Sequence, residues 1–143
     1  MNYFSAKSLE KLSSCDRDLI CVMEKAISIS RVDFGISSGF RTIRSQEKLF
    51  KEGRSDKDGI TNPSKHNSFP AEACDIFISS VPVDLYDLNH LCYIAGVIEA
   101  VSDYLYEEKI ITHRVRWGGN WDRDKVLLID QAFDDACHFE LVD

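Results

Sequence analysis

The sequence has no two cysteines at C-x-x-C spacing, no apolar run long enough to cross a bilayer, and too few basic residues to balance its acids. Its five cysteines (Cys15, Cys21, Cys74, Cys92, Cys137) are an odd set. Without paired spacing they form neither a disulfide framework nor a cysteine-rich zinc module, and reduced, mostly buried thiols are expected. The longest apolar run, Leu91 to Ile98, falls far short of the roughly twenty residues a membrane-spanning helix needs. Met1 to Lys7 lacks the basic start and apolar run of a secretory signal, so synthesis in the cytosol is expected. Seventeen lysines and arginines against 24 acids leave a net charge of −7, which argues against a nucleic-acid partner held by phosphate neutralisation. With 44% hydrophobic and 29% charged residues over 143 positions, the chain suits one folded domain, residues 1–143, rather than a disordered or fibrous one.

Periodicity organises that domain as mixed α and β. Helices are expected near residues 5–12 and 16–29, the second carrying Leu19, Met23, Ala26 and Ile27 on one face. A short strand over 32–37 leads to a tight corner at Ser38-Gly39-Phe40-Arg41. Thr42 then caps a third helix with Leu49 and Phe50 turned inward, and Gly53 ends it in the left-handed conformation. Residues 54–70 hold two of the three prolines and many turn formers, which predicts a long irregular loop, a frequent location of function. Further expectations are a strand over 73–79, the longest helix over 84–107, and a strand over 110–117 with Arg114 and Arg116 on one face. A last strand starts near His138. This order predicts an α+β domain, an antiparallel sheet with helices packed mainly on one side. Its first thirty residues are helical, and residues 33–142 bear the motifs.

Chemistry concentrates in four side chains. His66 lies in the long loop, Asp75 begins a strand nine residues on, and His138 begins the last strand with Asp135 three residues before it. Two imidazoles and a carboxylate form a three-ligand set for Zn²⁺ whose open fourth position suits catalysis rather than scaffolding. On spacing alone each also reads as an ordinary residue: His66 as a solvated loop histidine, Asp75 as a turn cap, Arg41 as a surface charge. Cys74 and Cys137 neighbour two of these positions. Successive strand residues point to opposite faces, so buried core thiols are the preferred reading over zinc ligation or a Cys137–His138 thiol hydrolase. His90 and His113 have no partner set and are read as non-ligands. Asp122-Arg123-Asp124 starts like a calcium loop, but no glycine takes the sixth place and Phe133 takes the twelfth, so calcium is rejected.

Joined together, Ser38-Gly39-Phe40-Arg41, Ser64-Lys65-His66-Asn67, Ala73-Cys74-Asp75-Ile76, Arg116-Trp117-Gly118-Gly119-Asn120-Trp121 and Asp135-Ala136-Cys137-His138-Phe139-Glu140-Leu141 resemble the zinc peptidases of the D-alanyl-D-alanine carboxypeptidase and L-alanyl-D-glutamate peptidase family, especially its small phage endolysins. The resemblance implies that His66, Asp75 and His138 bind zinc and that Asp135 is the catalytic acid/base. It implies that Arg41 binds or polarises substrate near the scissile carbonyl and that Ser64 lines the same site. Trp117 and the glycines after it are implied to shape the cleft wall, while on residue type alone Trp117 and Trp121 read equally as core anchors or substrate contacts. Many relatives have Ser-x-His-x-x-Gly-x-Ala-x-Asp; here the interval is longer, with Pro70 and Ala71 in place of the glycine turn.

The implied fold is that shared with hedgehog-type domains, and the implied activity is cleavage of the L-alanyl-D-glutamate bond in peptidoglycan stem peptides by a phage or prophage endolysin. Alternatives are a D-alanyl-D-alanine carboxypeptidase or dipeptidase and a non-catalytic zinc-bearing wall-binding module. A monomer is expected, with no membrane insertion. It would act on the wall from the periplasm, which it would reach with the help of a separate holin.

Overall fold

The computed structural model describes residues 1–143. In chain order it has α1 (Ala6–Leu12), α2 (Arg17–Ile29), β1 (Phe34–Ser38), α3 (Ile43–Lys51), a 3₁₀ turn (Lys65–Asn67), β2 (Ala73–Ile78), α4 (Leu88–Glu107), β3 (Arg114–Trp117) and β4 (His138–Val142). The strands form one four-stranded antiparallel sheet in the order β1-β2-β4-β3. The expected α+β class is the observed one, and no helix is long and apolar enough to cross a membrane.

Period-2 alternation divides the sheet into two chemically distinct faces. Phe34, Ile36, Cys74, Ile76, Ile78, Val115, Trp117, Phe139 and Leu141 join a single buried cluster with Leu19, Val22 and Met23 of α2 and Leu91, Ile94 and Ile98 of α4. Burial of each such leucine or isoleucine stabilises the fold by about 1.5–3 kcal/mol. The opposite face carries Asp75, Arg116, His138 and Glu140.

A helix serine pairs one backbone N–H on each sheet edge, which explains two buried polar residues in the core. Ser8 of α1 accepts the Ile36 N–H at 3.0 Å along the β1 edge. Ser102 of α4 accepts the Val115 N–H at 2.8 Å along the β3 edge. Each removes an unpaired edge donor that would otherwise template pairing with another chain.

Local competition explains where the elements depart from expectation. The strand expected from residue 110 begins only at Arg114, because the backbone N–H groups of Thr112 and His113 donate to the buried Asp18 carboxylate. Burial there opposes the charge, but these hydrogen bonds prevail and hold the Asp18 pKa below its usual value. The longest helix starts at Leu88 rather than 84, because Asp87 is the residue whose carboxylate accepts the His90 N–H. Helix α3 is capped by Thr42 as expected, and Gly53 follows it at φ 71°. Its inner face is corrected at Phe50, which is exposed; Leu49 is half-buried and lines the cleft, and the one fully buried residue is Gln46. The helix borders the cleft on the polar side of the sheet rather than the apolar core.

Candidate active site

Strand register assembles the polar face as two cross-strand rows. Asp75 lies opposite His138 on one side and Ser38 on the other, while Glu140 lies opposite both Ala73 and Arg116. The small Ala73 side chain leaves room beside Glu140. A bulge between Ile36 and Ser38 shifts β1 so that Ser38, not Ser37, faces Asp75.

The long loop delivers His66 to the end of this row. Ser64 caps the 3₁₀ turn, its hydroxyl accepting the His66 N–H at 3.2 Å, and Asn67 completes the reciprocal contact by accepting the Ser64 N–H. Three hydrogen bonds join the turn to the Gly39–Arg41 corner. Arg41 N–H donates to the His66 carbonyl at 2.7 Å, Asn67 donates to the Arg41 carbonyl at 3.0 Å, and His66 Nδ1 donates to the Gly39 carbonyl at 2.8 Å. Residue 39 must be glycine for this approach, since a Cβ there would sit 2.4 Å from the Lys11 carbonyl oxygen. The longer His66–Asp75 interval runs out through exposed Phe69 and back through Ala71, which is fully buried and bridges to Cys15.

His66, Asp75 and His138 thus converge, their ligand atoms all within 4.8 Å of one another. His66 Nε2 lies 3.4 Å and His138 Nδ1 3.1 Å from Asp75 Oδ1. Tetrahedral zinc with bonds of about 2.0–2.1 Å separates its ligand atoms by about 3.3 Å. The Gly39 carbonyl can only accept, so it fixes the proton of His66 on Nδ1 and leaves Nε2 to present a lone pair. That Nε2 is buried without a hydrogen-bond partner. On the other ring, His138 Nε2 bonds Glu140 Oε1 at 2.9 Å, which orients Nδ1 toward Asp75. The donor set therefore fits a divalent cation, with both imidazoles oriented by outer partners. A second trio, Asp122, Asp124 and Asp130, is equally close-set but fully exposed.

The electrostatics reflect this crowding. Burial alone would lower the His138 pKa, yet Asp75 and Glu140 raise it to about 9. Burial opposes ionisation of Asp75 and Glu140, but contacts with the histidines hold Asp75 well below the usual carboxylate range. Those with His138 and Arg116 bring Glu140 to about 2. Asp135 behaves oppositely: burial, then the Asp75 charge, raises its pKa. Its backbone is held by the Gly118 carbonyl at 2.9 Å, an approach only glycine allows, since a Cβ on residue 118 would fall 2.2 Å from the Asp135 carbonyl oxygen.

A cleft of about 900 Å³ opens over these groups and is lined by Arg41, Ser64, His66, Asp75, Asp135 and His138 together. All six residues singled out from the sequence therefore share one cavity. Arg41 is anchored on three sides, by Gln46 at 2.9 Å, Ser38 at 3.3 Å and the second Asp75 oxygen at 3.7 Å. The wall differs from expectation. Trp117 is buried in the apolar core, its indole N–H donating to the Ala136 carbonyl. Trp121 faces the cleft, its ring 5.5 Å from that of His138.

Sequence reasoning passed over Glu140, Gln46 and Lys65. Glu140 was within reach, since residue i+2 from a strand ligand shares its face. Cys137, expected as a buried core thiol, is instead half-buried and lines the cleft, its thiol donating to Asp135, while the His138 nitrogens are engaged by Asp75 and Glu140. Burial and then the carboxylates of Asp75 and Asp135 push its pKa far up, which opposes a thiolate nucleophile. Cys74 is fully buried in the core. His90 and His113 pair with Asp87 and Asp18 away from the cleft.

The polar face of this α+β sheet gathers a candidate metal centre, a fixed cation and an acid of raised pKa in one cleft, an arrangement suited to hydrolysis. The comparisons make it a peptidase: the chain belongs to the phage L-alanyl-D-glutamate peptidase family, whose sequence model matches residues 1–142. No curated protein sequence matches the chain. The crystal structure of the Serratia marcescens L-Ala D-Glu endopeptidase ChiX is similar in fold, with a TM-score of 0.75 at 24% identity over 99% of this chain and 91% of that one.

Proposed function

We propose that residues 1–143 form a single zinc-dependent endopeptidase domain that hydrolyses the L-alanyl-D-glutamate bond of peptidoglycan stem peptides. His66, Asp75 and His138 hold the metal in this reading. The observation that carries it is the buried His66 Nε2, which has no hydrogen-bond partner and lies 3.4 Å from Asp75 Oδ1, a spacing that a shared cation would suit. When bound, Zn²⁺ supplies a hydroxide nucleophile near neutral pH and polarises the scissile carbonyl.

The chain's own groups carry the remaining steps. Asp135 takes the proton of the attacking water and returns it to the departing D-glutamate nitrogen as the amide C–N bond breaks. The water oxygen stays on the L-alanine carboxylate. A carboxyl with a raised pKa suits both halves of that shuttle, a role typically worth 10²–10⁴-fold. Arg41, charged at every working pH, donates to the carbonyl oxygen as negative charge develops there. Three of its five N–H groups are engaged at most, so donors remain for substrate. Ser64 serves substrate binding at the cleft mouth while its hydroxyl caps the turn that carries His66.

The remaining expectations accompany this reading: a monomer acting on the bacterial wall, released from the cytoplasm by a separate holin. The test is zinc content of wild type and His66→Ala together with mass spectrometry of digested muropeptides. Stoichiometric zinc lost in His66→Ala, with stems released from L-alanine, is the expected result. Loss of only a terminal D-alanine would instead give a D-alanyl-D-alanine peptidase, and wall binding without hydrolysis a non-catalytic module. Chelator-resistant hydrolysis would refute metal dependence.

A further inference from the structure

Gln46 is fully buried on the cleft side of α3, yet it belongs neither to the apolar core nor to the candidate catalytic set. Its amide is saturated in a directional way. Oε1 accepts from Arg41 at 2.9 Å, while Nε2 donates to the Ser55 hydroxyl at 2.9 Å and to the Lys57 carbonyl at 2.8 Å. A guanidinium can only donate and a carbonyl can only accept, so these neighbours fix which end of the amide is which. No other side chain of this size offers an acceptor and two donors in that fixed arrangement. Glutamate keeps the contact to Arg41 and loses the contact to Lys57, and methionine loses both.

The two sides of the amide lead to different parts of the cleft. On one side stands Arg41; on the other is the loop whose residues Arg54, Ser55, Asp56 and Lys57 line the same cavity. Arg116 and Lys65 are already engaged with the Glu140 carboxylate, whereas Arg54 and Lys57 have only exposed, weak partners. A D-glutamate residue joined through either of its carboxyls keeps the other one free, so the leaving side of the substrate is anionic and suits a wall with cations to spare.

We infer that Gln46 is a positioning residue that sets the Arg41 guanidinium for catalysis with one end of its amide and seats the cleft-lining loop of residues 54–57, for binding the anionic side of the substrate, with the other. The inference deepens the proposed peptidase reading and rests on the role given there to Arg41.

The experiment measures kcat, KM and bound zinc for wild type, Gln46→Glu, Gln46→Met, Arg41→Ala and the Arg41→Ala/Gln46→Met double variant on purified stem peptide. Gln46→Glu is expected to hold kcat within about threefold and raise KM about tenfold, the loop being released while Arg41 stays anchored. Gln46→Met is expected to lower kcat about 10–100-fold as well, the range for a misplaced catalytic group, with zinc content unchanged. On the Arg41→Ala background the same methionine should change kcat less than threefold. An equal kcat loss on both backgrounds, or a Gln46→Glu variant with unchanged KM, overturns the inference. If Gln46→Met does not fold, Gln46→Glu alone decides. If Arg41→Ala leaves kcat intact, the role of Arg41 itself is refuted, a failure distinct from that of Gln46.

Discussion

Replacing Glu140 by glutamine tests how the sheet prepares His138 for a metal. In wild type the Glu140 carboxylate accepts from His138 Nε2 at 2.9 Å and from Arg116 at 2.7 Å, with Lys65 3.5 Å away. Glutamine keeps a neutral acceptor for the imidazole but removes the charge, and charge-assisted hydrogen bonds are about twice as strong as neutral ones. Loss of such an outer partner typically costs 10–100-fold in metal affinity, or about 1.4–2.7 kcal/mol at 1.36 kcal/mol per tenfold. Glu140 also works against the metal, however, because it helps raise the His138 pKa to about 9, and a protonated Nδ1 cannot ligate. With a pKa two units above the assay pH, the proton weakens apparent affinity by about 100-fold at pH 7. That competition fades as pH approaches 9. Asp75 raises the same pKa and stays in the variant, so the gap in zinc affinity between wild type and Glu140→Gln, measured by chelator competition, should be smaller near pH 7 than at pH 9. By pH 9 the variant should be at least tenfold weaker. A ratio independent of pH, or a variant that binds more tightly at pH 9, would refute the reasoning.

Three further outcomes are expected. In the metal-free protein His138 has a pKa raised to about 9 from 6.5, so its stabilising contribution is complete below pH 6.5 and is lost as pH rises through 9. Glu140, lowered to about 2 from 4.5, contributes above pH 4.5 and loses that as pH falls toward 2. Thermal melts of chelated protein should thus peak between pH 4.5 and 6.5 in this pair's contribution, and the alkaline decline should vanish in His138→Ala. Asp135→Asn should lower kcat by about 10²–10⁴-fold with zinc content unchanged, and simultaneous loss of zinc would give Asp135 a ligand role instead. Cys137→Ser should retain hydrolysis, because the thiol only donates to Asp135 at 3.3 Å; inactivation by this change would revive a thiol mechanism.

How much of this was legible in the sequence depends on what decides each residue's position. Strand alternation is a local rule, so the placing of Asp75 and Cys74 on opposite faces, and of Arg116 opposite the core side of Trp117, could be read from the chain. The same rule applied two residues beyond His138 points to Glu140. The helix cap at Thr42 and the positive φ of Gly53 are local in the same sense. Gln46 shares the helical face of Leu49 and Phe50, three and four residues before them, but nothing local marks a glutamine as the buried member of that face. Periodicity assigns the inward positions to apolar residues, but α3 borders the polar cleft, and there the buried position goes to a side chain that can satisfy a guanidinium and a carbonyl at once. The serines at the sheet edges are hidden for a related reason: Ser8 and Ser102 are ordinary helix residues until the strand order sets an unpaired N–H beside each. Polar residues buried by tertiary contact thus resist sequence reading, because the partner that makes burial tolerable is distant in the chain.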